Sequence, residues 1–426
     1  MAAPPTLTRR VLRPDDTPAR IRQKVAAVVV AAAALLTATS LLMARAQDQA
    51  RIIGDEAAPQ SATAADLYFA LSDLDGQVTR LVLIDNAAAR AGSKIDALGA
   101  YQRRGRQIDD DLHRALTTAT AGADRATVLT LVDDLAAYRQ WAWQALTVEA
   151  QLEPQPPGKL PPAALGYYTQ ATNVMHLAVL PGAQRLQDAS RDRLARAYHD
   201  ERITEILGIA PATLLGGLLI VLLLGLQRWL ARRFRRLLNP ALLVATLVTL
   251  GLVVASALTF AVDGAGLRSA RSGSLTPYLA LAESQAVAYD AAADTSRYLI
   301  SSNLAYYRQD FTAKAARVTA GPGVLARWQG YERDHERIVG LADAGQTATA
   351  IDSLTGIRRG DAAFDFSYFD AAIGAEAAAH KTAFDASLGD ARRRLTGWTV
   401  IPVAAMALVA LLVLLGVRGR LREYRR

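Results

Sequence analysis

Four uncharged apolar runs, each long enough to cross a bilayer, divide this chain and constrain everything else in it. Residues 25–44, 206–227, 237–262 and 395–417 contain no Asp, Glu, Lys or Arg over 20, 22, 26 and 23 residues. A helix needs about 20 apolar residues to span the hydrocarbon core, and only helices and closed barrels satisfy their backbone there. The pieces between the runs are uneven. Residues 45–205 and 263–394 are large, whereas 1–24, 228–236 and 418–426 are short.

Charge orients these pieces. Residues 1–24 carry six Lys or Arg against two acids, 228–236 carry five Arg and no acid, and 418–426 carry five Arg and one Glu. Cytoplasmic loops accumulate Lys and Arg, so all three short pieces are expected inside, with both termini cytoplasmic. The chain's net charge of +8 then reads as a topology signature and an attraction to anionic lipid, and nucleic acid is not an expected partner. Ala44-Arg45-Ala46 has the form of a signal-peptidase site. The preceding apolar run of 20 residues exceeds the roughly 7–15 residues of a signal h-region, so the first span is read as retained.

The chain contains no cysteine. The large segments must therefore hold together by core burial without disulfides, and thiol nucleophiles and cysteine metal sites are excluded. Both segments read as helical. Leu67, Leu71, Leu74, Val78 and Leu81 form an apolar seam along one helix face, with Ser61 and Thr63 upstream as candidate N-caps. Val128, Leu131, Leu135 and Tyr138 repeat the pattern after Gly122. The proline-rich stretch 154–162 is a stiff connector or a docking element, and Leu180-Pro181-Gly182 is expected to kink the next helix. In the second segment Gly321-Pro322-Gly323 stops a helix, and Leu325, Trp328, Tyr331, His335 and Ile338 share a face of the following one. Neither segment alternates in the manner of a strand. The expected fold is an all-α membrane protein with four transmembrane helices and two extracytoplasmic helical-bundle domains, the order span–bundle–span occurring twice. The boundaries are 1–24 leader, 25–44 span, 45–205 bundle, 206–227 span, 228–236 connector, 237–262 span, 263–394 bundle, 395–417 span and 418–426 tail.

Catalytic constellations are sparse. His113, His176, His199, His335 and His380 form no HExxH or close pair, and a zinc site needs three or four converging ligands. Asp109-Asp110-Asp111 points three ways around a helix and reads as a solvated face. Phosphate-loop, dinucleotide and nucleophile-elbow motifs are all missing from the sequence. No catalytic, cofactor-binding or metal-ligating residue is assigned, no cofactor is expected, and the chain is read as a non-enzyme. The spans lack intramembrane ionisable residues, which argues against transport.

Aromatic and arginine side chains supply the candidate interfaces, since Trp, Tyr and Arg dominate hot spots; they also fill bundle cores. Tyr138, Trp141, Trp143, Tyr167 and Tyr168 in the first segment, and Tyr306, Tyr307, Arg308, Trp328 and Tyr331 in the second, form the candidate outer set. Arg228, Arg232, Arg233, Arg235 and Arg236 form the candidate inner set. The inner pieces are too short to fold into a kinase or nucleotide-binding domain, so a signal received outside must leave through another protein.

Four spans, two helical outer domains, arginine-rich inner stubs and no cysteine resemble the actinobacterial GlnX-type membrane proteins, along the whole chain but in architecture only. The resemblance implies a sensor that works with a solute-binding lipoprotein for aspartate or glutamate outside and a Ser/Thr kinase inside, and no functional residue is carried over from it. The expected function is thus a non-enzymatic signalling adaptor in the cell membrane, compatible with a homodimer. A constitutive scaffold for envelope or secretion machinery is the alternative.

Overall fold

The computed structural model describes residues 17–84, 90–119, 122–152, 155–234, 239–300 and 304–423. Among these residues all regular structure is helical. The first half holds α1 (Thr17–Arg51), α2 (Ala58–Leu83), α3 (Ala91–Thr118), α4 (Gly122–Gln151), α5 (Pro162–Val174) and α6 (Leu180–Phe234). The second holds α7 (Pro240–Ala270), α8 (Thr276–Ile300), α9 (Leu304–Ala315), α10 (Pro322–Asp343), α11 (Thr347–Thr355), α12 (Ala362–Leu395) and α13 (Ile401–Glu423).

Three wide π turns, Ile52–Ala57, Met175–Val179 and Arg271–Leu275, join helices without breaking them. Each ends two residues before a proline: Pro59, Pro181 and Pro277. A helical proline has no N–H to donate, and its ring collides with the carbonyl four residues back. A π turn shifts the local pairing by one residue and relieves that collision. At Leu180-Pro181-Gly182 the helix therefore runs on without a break, through a π turn just before the proline. The N-caps expected at Ser61 and Thr63 are overturned. The helix is already running at Ala58, so no free amide needs capping, and Ser61 Oγ instead donates to the Ser190 carbonyl at 3.0 Å.

Four helical stretches are long and apolar enough to cross a membrane, one within each of α1, α6, α7 and α13. They fall in one compact unit, made of the chain up to Ala50, His199–Leu267 and Gly389 onward. Its interior gathers Leu35, Met43, Leu219, Leu223, Leu242, Phe260, Met406 and Val409. Its outer surface displays Val30, Leu214, Val221, Leu258 and Leu411, an apolar belt that suits lipid. Gly216 lets α6 approach α7: a Cβ there would fall 2.1 Å from Val253 Cγ2. The Asn239 amide donates to the Gly416 carbonyl at 2.9 Å, tying the start of α7 to α13. A turn with Gly397 at φ +93° interrupts the chain between α12 and α13.

The second unit takes Arg51–Tyr198 together with Arg268–Leu388. The two large segments thus contribute to one compact unit. Their seam is the pair α2 and α8. Asp66 meets Tyr278 at 2.9 Å, Phe69 meets Tyr289 edge-on at 5.2 Å, Gly76 faces Ala293, and Asp75 meets Arg297. The start of α2 meets the start of α8 and its end meets the end, so the helices run parallel. The leucine face read from the sequence is buried: Leu67, Leu71, Leu74, Val78 and Leu81 are all inside. The proline-rich connector also docks on the second segment. Gly158, at φ +80°, sits where a Cβ would lie 2.9 Å from the Leu299 carbonyl and 2.7 Å from Thr347 Cγ2.

Candidate functional site

Charge is buried on one flank of the α2–α8 pair. Asp290, Asp294 and Arg297 recur at helical spacing on α8, so their side chains project to one side. Arg297, 1% exposed, contacts Asp75 of α2, Asp294, and Asp290 at 3.2 Å. Lys314 of α9 adds contacts of 2.8, 2.7 and 2.7 Å to Asp290, Asp294 and Asp310. His176, in the second π turn, lies 3.0 Å from Arg297 and 3.4 Å from Asp75. The Tyr138 hydroxyl donates to Asp75 at 3.1 Å, and the Tyr168 hydroxyl donates to Thr79 at 3.0 Å one turn on.

Burial alone would lower the Arg297 pKa, but Asp75, Asp294 and Asp290 outweigh it and hold the guanidinium charged well above its ordinary value. For Asp75, burial pushes upward, and Arg297 and His176 pull it below the usual carboxylate range. Two cations, Arg297 and Lys314, face the buried Asp75 and Asp294 and the half-buried Asp290, with His176 alongside. Isolated buried charge is costly, and the cluster meets that cost by drawing its members from both segments.

A groove opens beside the same helix pair. Its volume is about 490 Å³, within the range of small-ligand sites. Gly76, Gln77 and Arg80 line it from α2, and Asp96, Ala100 and Arg103 from α3. Tyr289, Ala293 and Ser296 of α8 form the facing wall, closed by Tyr331, Phe364, Phe366 and Asp370. The aromatic wall is fixed by edge contacts of 4.8 Å between Tyr289 and Phe366 and 5.1 Å between Tyr331 and Phe366. Arg80 pairs with Asp96 at 3.2 Å, and Asp370 accepts from Gln285 at 2.6 Å. Two side-chain atoms on α2, Gln77 Oε1 and Arg80 Nε, are buried with no partner among the described residues.

The candidate outer residues divide sharply. Tyr138, Tyr168, Trp328 and Tyr331 are buried and belong to the interior, because each large ring finds packing or a hydroxyl partner there. Trp328 stacks on Tyr331 at 5.5 Å. Trp143 and Tyr306 stand exposed. Trp141 and Tyr167 are half-buried and stacked at 5.9 Å, and Tyr307 is half-buried against Tyr306. Arg308 is exposed and held by Asp343. Of the inner arginines, Arg228 and Arg232 are exposed on the last turns of α6. Arg233 falls in the final turn of that helix, and Arg235 and Arg236 lie outside the described residues.

The solvated reading of the aspartate triplet holds only in part. Asp109 pairs with Arg139 at 2.8 Å and Asp110 is exposed, but Asp111 turns inward and is buried beside Arg114. His335 is a core histidine, stacked on Phe311 at 3.5 Å and bonded to Thr295 at 2.9 Å. Sequence reasoning passed over Asp75, His176, Asp290, Asp294, Arg297 and Lys314. The usable signal was on α8, where charges spaced four and three residues apart interrupt an alanine-rich helix.

Residues 49–199 match the family model of the actinobacterial sensor domain. No curated protein and no solved structure matches the chain. The first large segment is thus similar to the actinobacterial sensor domain. The matched stretch supplies Asp75 and the α2–α3 wall of the groove. The facing wall comes from the second segment, beyond the match.

Proposed function

We propose that this chain is a non-enzymatic transmembrane signalling adaptor of the cell membrane, with both termini and the short arginine-rich pieces in the cytoplasm and both large segments outside. Its input is a solute-binding lipoprotein loaded with an acidic amino acid, as the resemblance to GlnX-type proteins implies. Its output is a cytoplasmic Ser/Thr kinase reached through Arg228, Arg232 and the connector that follows. The observation that carries this reading is the single body built from the matched sensor segment and the second segment around one buried ion cluster. Trp141, Trp143, Tyr167 and Tyr306 are the surface aromatics left for the outer partner.

Crosslinking pulldown of the full-length protein from its native membrane, with and without aspartate or glutamate, tests the proposal. Recovery of a solute-binding lipoprotein and a kinase in amounts that change with the amino acid supports it. Recovery of envelope-assembly proteins irrespective of amino acid replaces it with the constitutive scaffold.

A further inference from the structure

We propose that the groove between α2–α3 and α8–α12 is a direct binding site for a small zwitterion with an apolar body, of the class of aromatic and large aliphatic α-amino acids. The inference stands on the groove itself and does not require a binding protein or a kinase.

Three observations carry it. The first is charge. The lining holds Arg80 and Arg103 against Asp96 and Asp370, so the groove is balanced and an anion of net charge has no surplus cation to meet. A zwitterion likewise carries no net charge and needs only one contact of each sign. The second is the pair of orphaned atoms. Arg80 Nε is a buried donor lacking an acceptor, and Gln77 Oε1 is a buried acceptor lacking a donor. They sit three residues apart on one helix face. An unmade hydrogen bond on a buried group costs about 1–3 kcal/mol, and a small rotation of these two side chains into the groove would present both to a ligand carrying a carboxylate beside an ammonium. The third is the opposite wall, where Tyr289, Phe364 and Phe366 offer aromatic faces and edges to an apolar side chain. Gly76 keeps the floor open between helices: a Cβ there would already touch Ala293 at 3.8 Å. Because each large segment provides one wall, an occupant is held by both.

The test is calorimetry and thermal melting of the full-length protein in lipid nanodiscs with phenylalanine, tyrosine, leucine, aspartate and glutamate as probes. Phenylalanine, tyrosine or leucine is expected to bind saturably and raise the melting temperature, with aspartate and glutamate at least tenfold weaker. Ala100→Phe, which fills the groove from α3, is expected to abolish binding. Gln77→Leu, which keeps the shape and removes the acceptor, is expected to weaken it about tenfold. Each variant's ligand-free melt reports whether it folds, and if one does not, the other carries the test. No binding up to 10 mM (about the weakest affinity of interest), binding untouched by both variants, or preference for aspartate or glutamate overturns the inference. None of these outcomes bears on whether a lipoprotein or kinase is recovered by crosslinking.

Discussion

Removing the guanidinium at position 297 is the most direct test of what joins the two large segments. Arg297 and its partners Asp75 and Asp294 are 1%, 3% and 0% exposed, so water does not screen their interaction. Arg297→Met keeps the length and apolar stem but leaves Asp75 and Asp294 with an uncompensated share of buried charge. Breaking a buried pair in this way costs about 3–5 kcal/mol. Lys314 still reaches Asp294, and Tyr138 and His176 still reach Asp75, which favours the lower half of that range. For a body of this size, 3–5 kcal/mol corresponds to a drop of roughly 6–20 °C in melting temperature. The assay is tryptophan fluorescence during thermal and chemical unfolding of the detergent-solubilised full chain, with Arg297→Lys as an intermediate case. Lysine replaces the fork with a single point charge. The double variant Asp75→Asn with Arg297→Met should lose less than the two single losses added together, with a coupling of about 0.5–3 kcal/mol. A cost below about 1 kcal/mol for Arg297→Met, or strict additivity in the double variant, would refute a dry ion cluster at the seam.

Three further outcomes follow from local geometry. Gly158→Ala should destabilise by about 2–4 kcal/mol, combining the left-handed backbone penalty with overpacking against the Leu299 carbonyl. Gly345→Ala, also at positive φ but in open space, should cost only about 1–2 kcal/mol, and urea titration of the two variants side by side reads the difference. Gly216→Leu should lower the melting temperature of the apolar unit by overpacking Val253, at about 1–3 kcal/mol, while Gly217→Leu next to it meets nothing within 4 Å and should be tolerated. Burial, with Arg308 nearby, lowers the His335 pKa to about 4. The unfolded chain therefore takes up a proton that the fold refuses between about pH 6.5 and 4. Stability is complete above pH 6.5 and is lost as pH falls toward 4, by about 3 kcal/mol in all. Denaturation midpoints at pH 7 and 4.5 should differ more in the parent than in His335→Gln, whose side chain does not titrate, and equal differences would place His335 in contact with solvent.

The spans and the helical character of both segments are legible because they rest on composition and period. The Leu67–Leu81 seam and the stop before Pro322 are read directly from spacing and glycine–proline chemistry. What failed is instructive. Pro181 reads as a kink because a regular helix cannot absorb it, yet the preceding π turn does, and the same device precedes Pro59 and Pro277. A local rule applied to one helical geometry misses the neighbouring geometry that satisfies it. On α12 the buried side carries Phe369 and Ile373 and leaves Tyr368 exposed. The helix phase across 364–369, six residues with four aromatics, is set by its neighbours, not by the run. The ion cluster and the groove were invisible for a deeper reason. Asp75 and Arg297 lie 222 positions apart, and no local pattern on α2 announces a partner on α8. Residue type alone also could not sort Tyr138 or Trp328, inside, from Trp143 or Tyr306, outside.

The seam limits how a signal can act on this chain. Moving a two-state equilibrium from 1:99 to 99:1 takes about 5.5 kcal/mol of differential binding. Parting α2 from α8 would expose the Phe69–Tyr289–Phe366 contacts and unmake the Arg297 cluster. Each Leu- or Phe-sized side chain returned to water costs about 1.5–3 kcal/mol, so the aromatic contacts alone reach that 5.5 kcal/mol before the charges are counted. A ligand or partner of ordinary affinity cannot drive such a separation. It can bias only displacements small enough to leave the cluster intact, and at Gly76 the two helices lie close, since a Cβ there would sit 3.8 Å from Ala293 Cβ. The groove beside that point is lined by both helices, so an occupant held by both walls would stabilise their present packing.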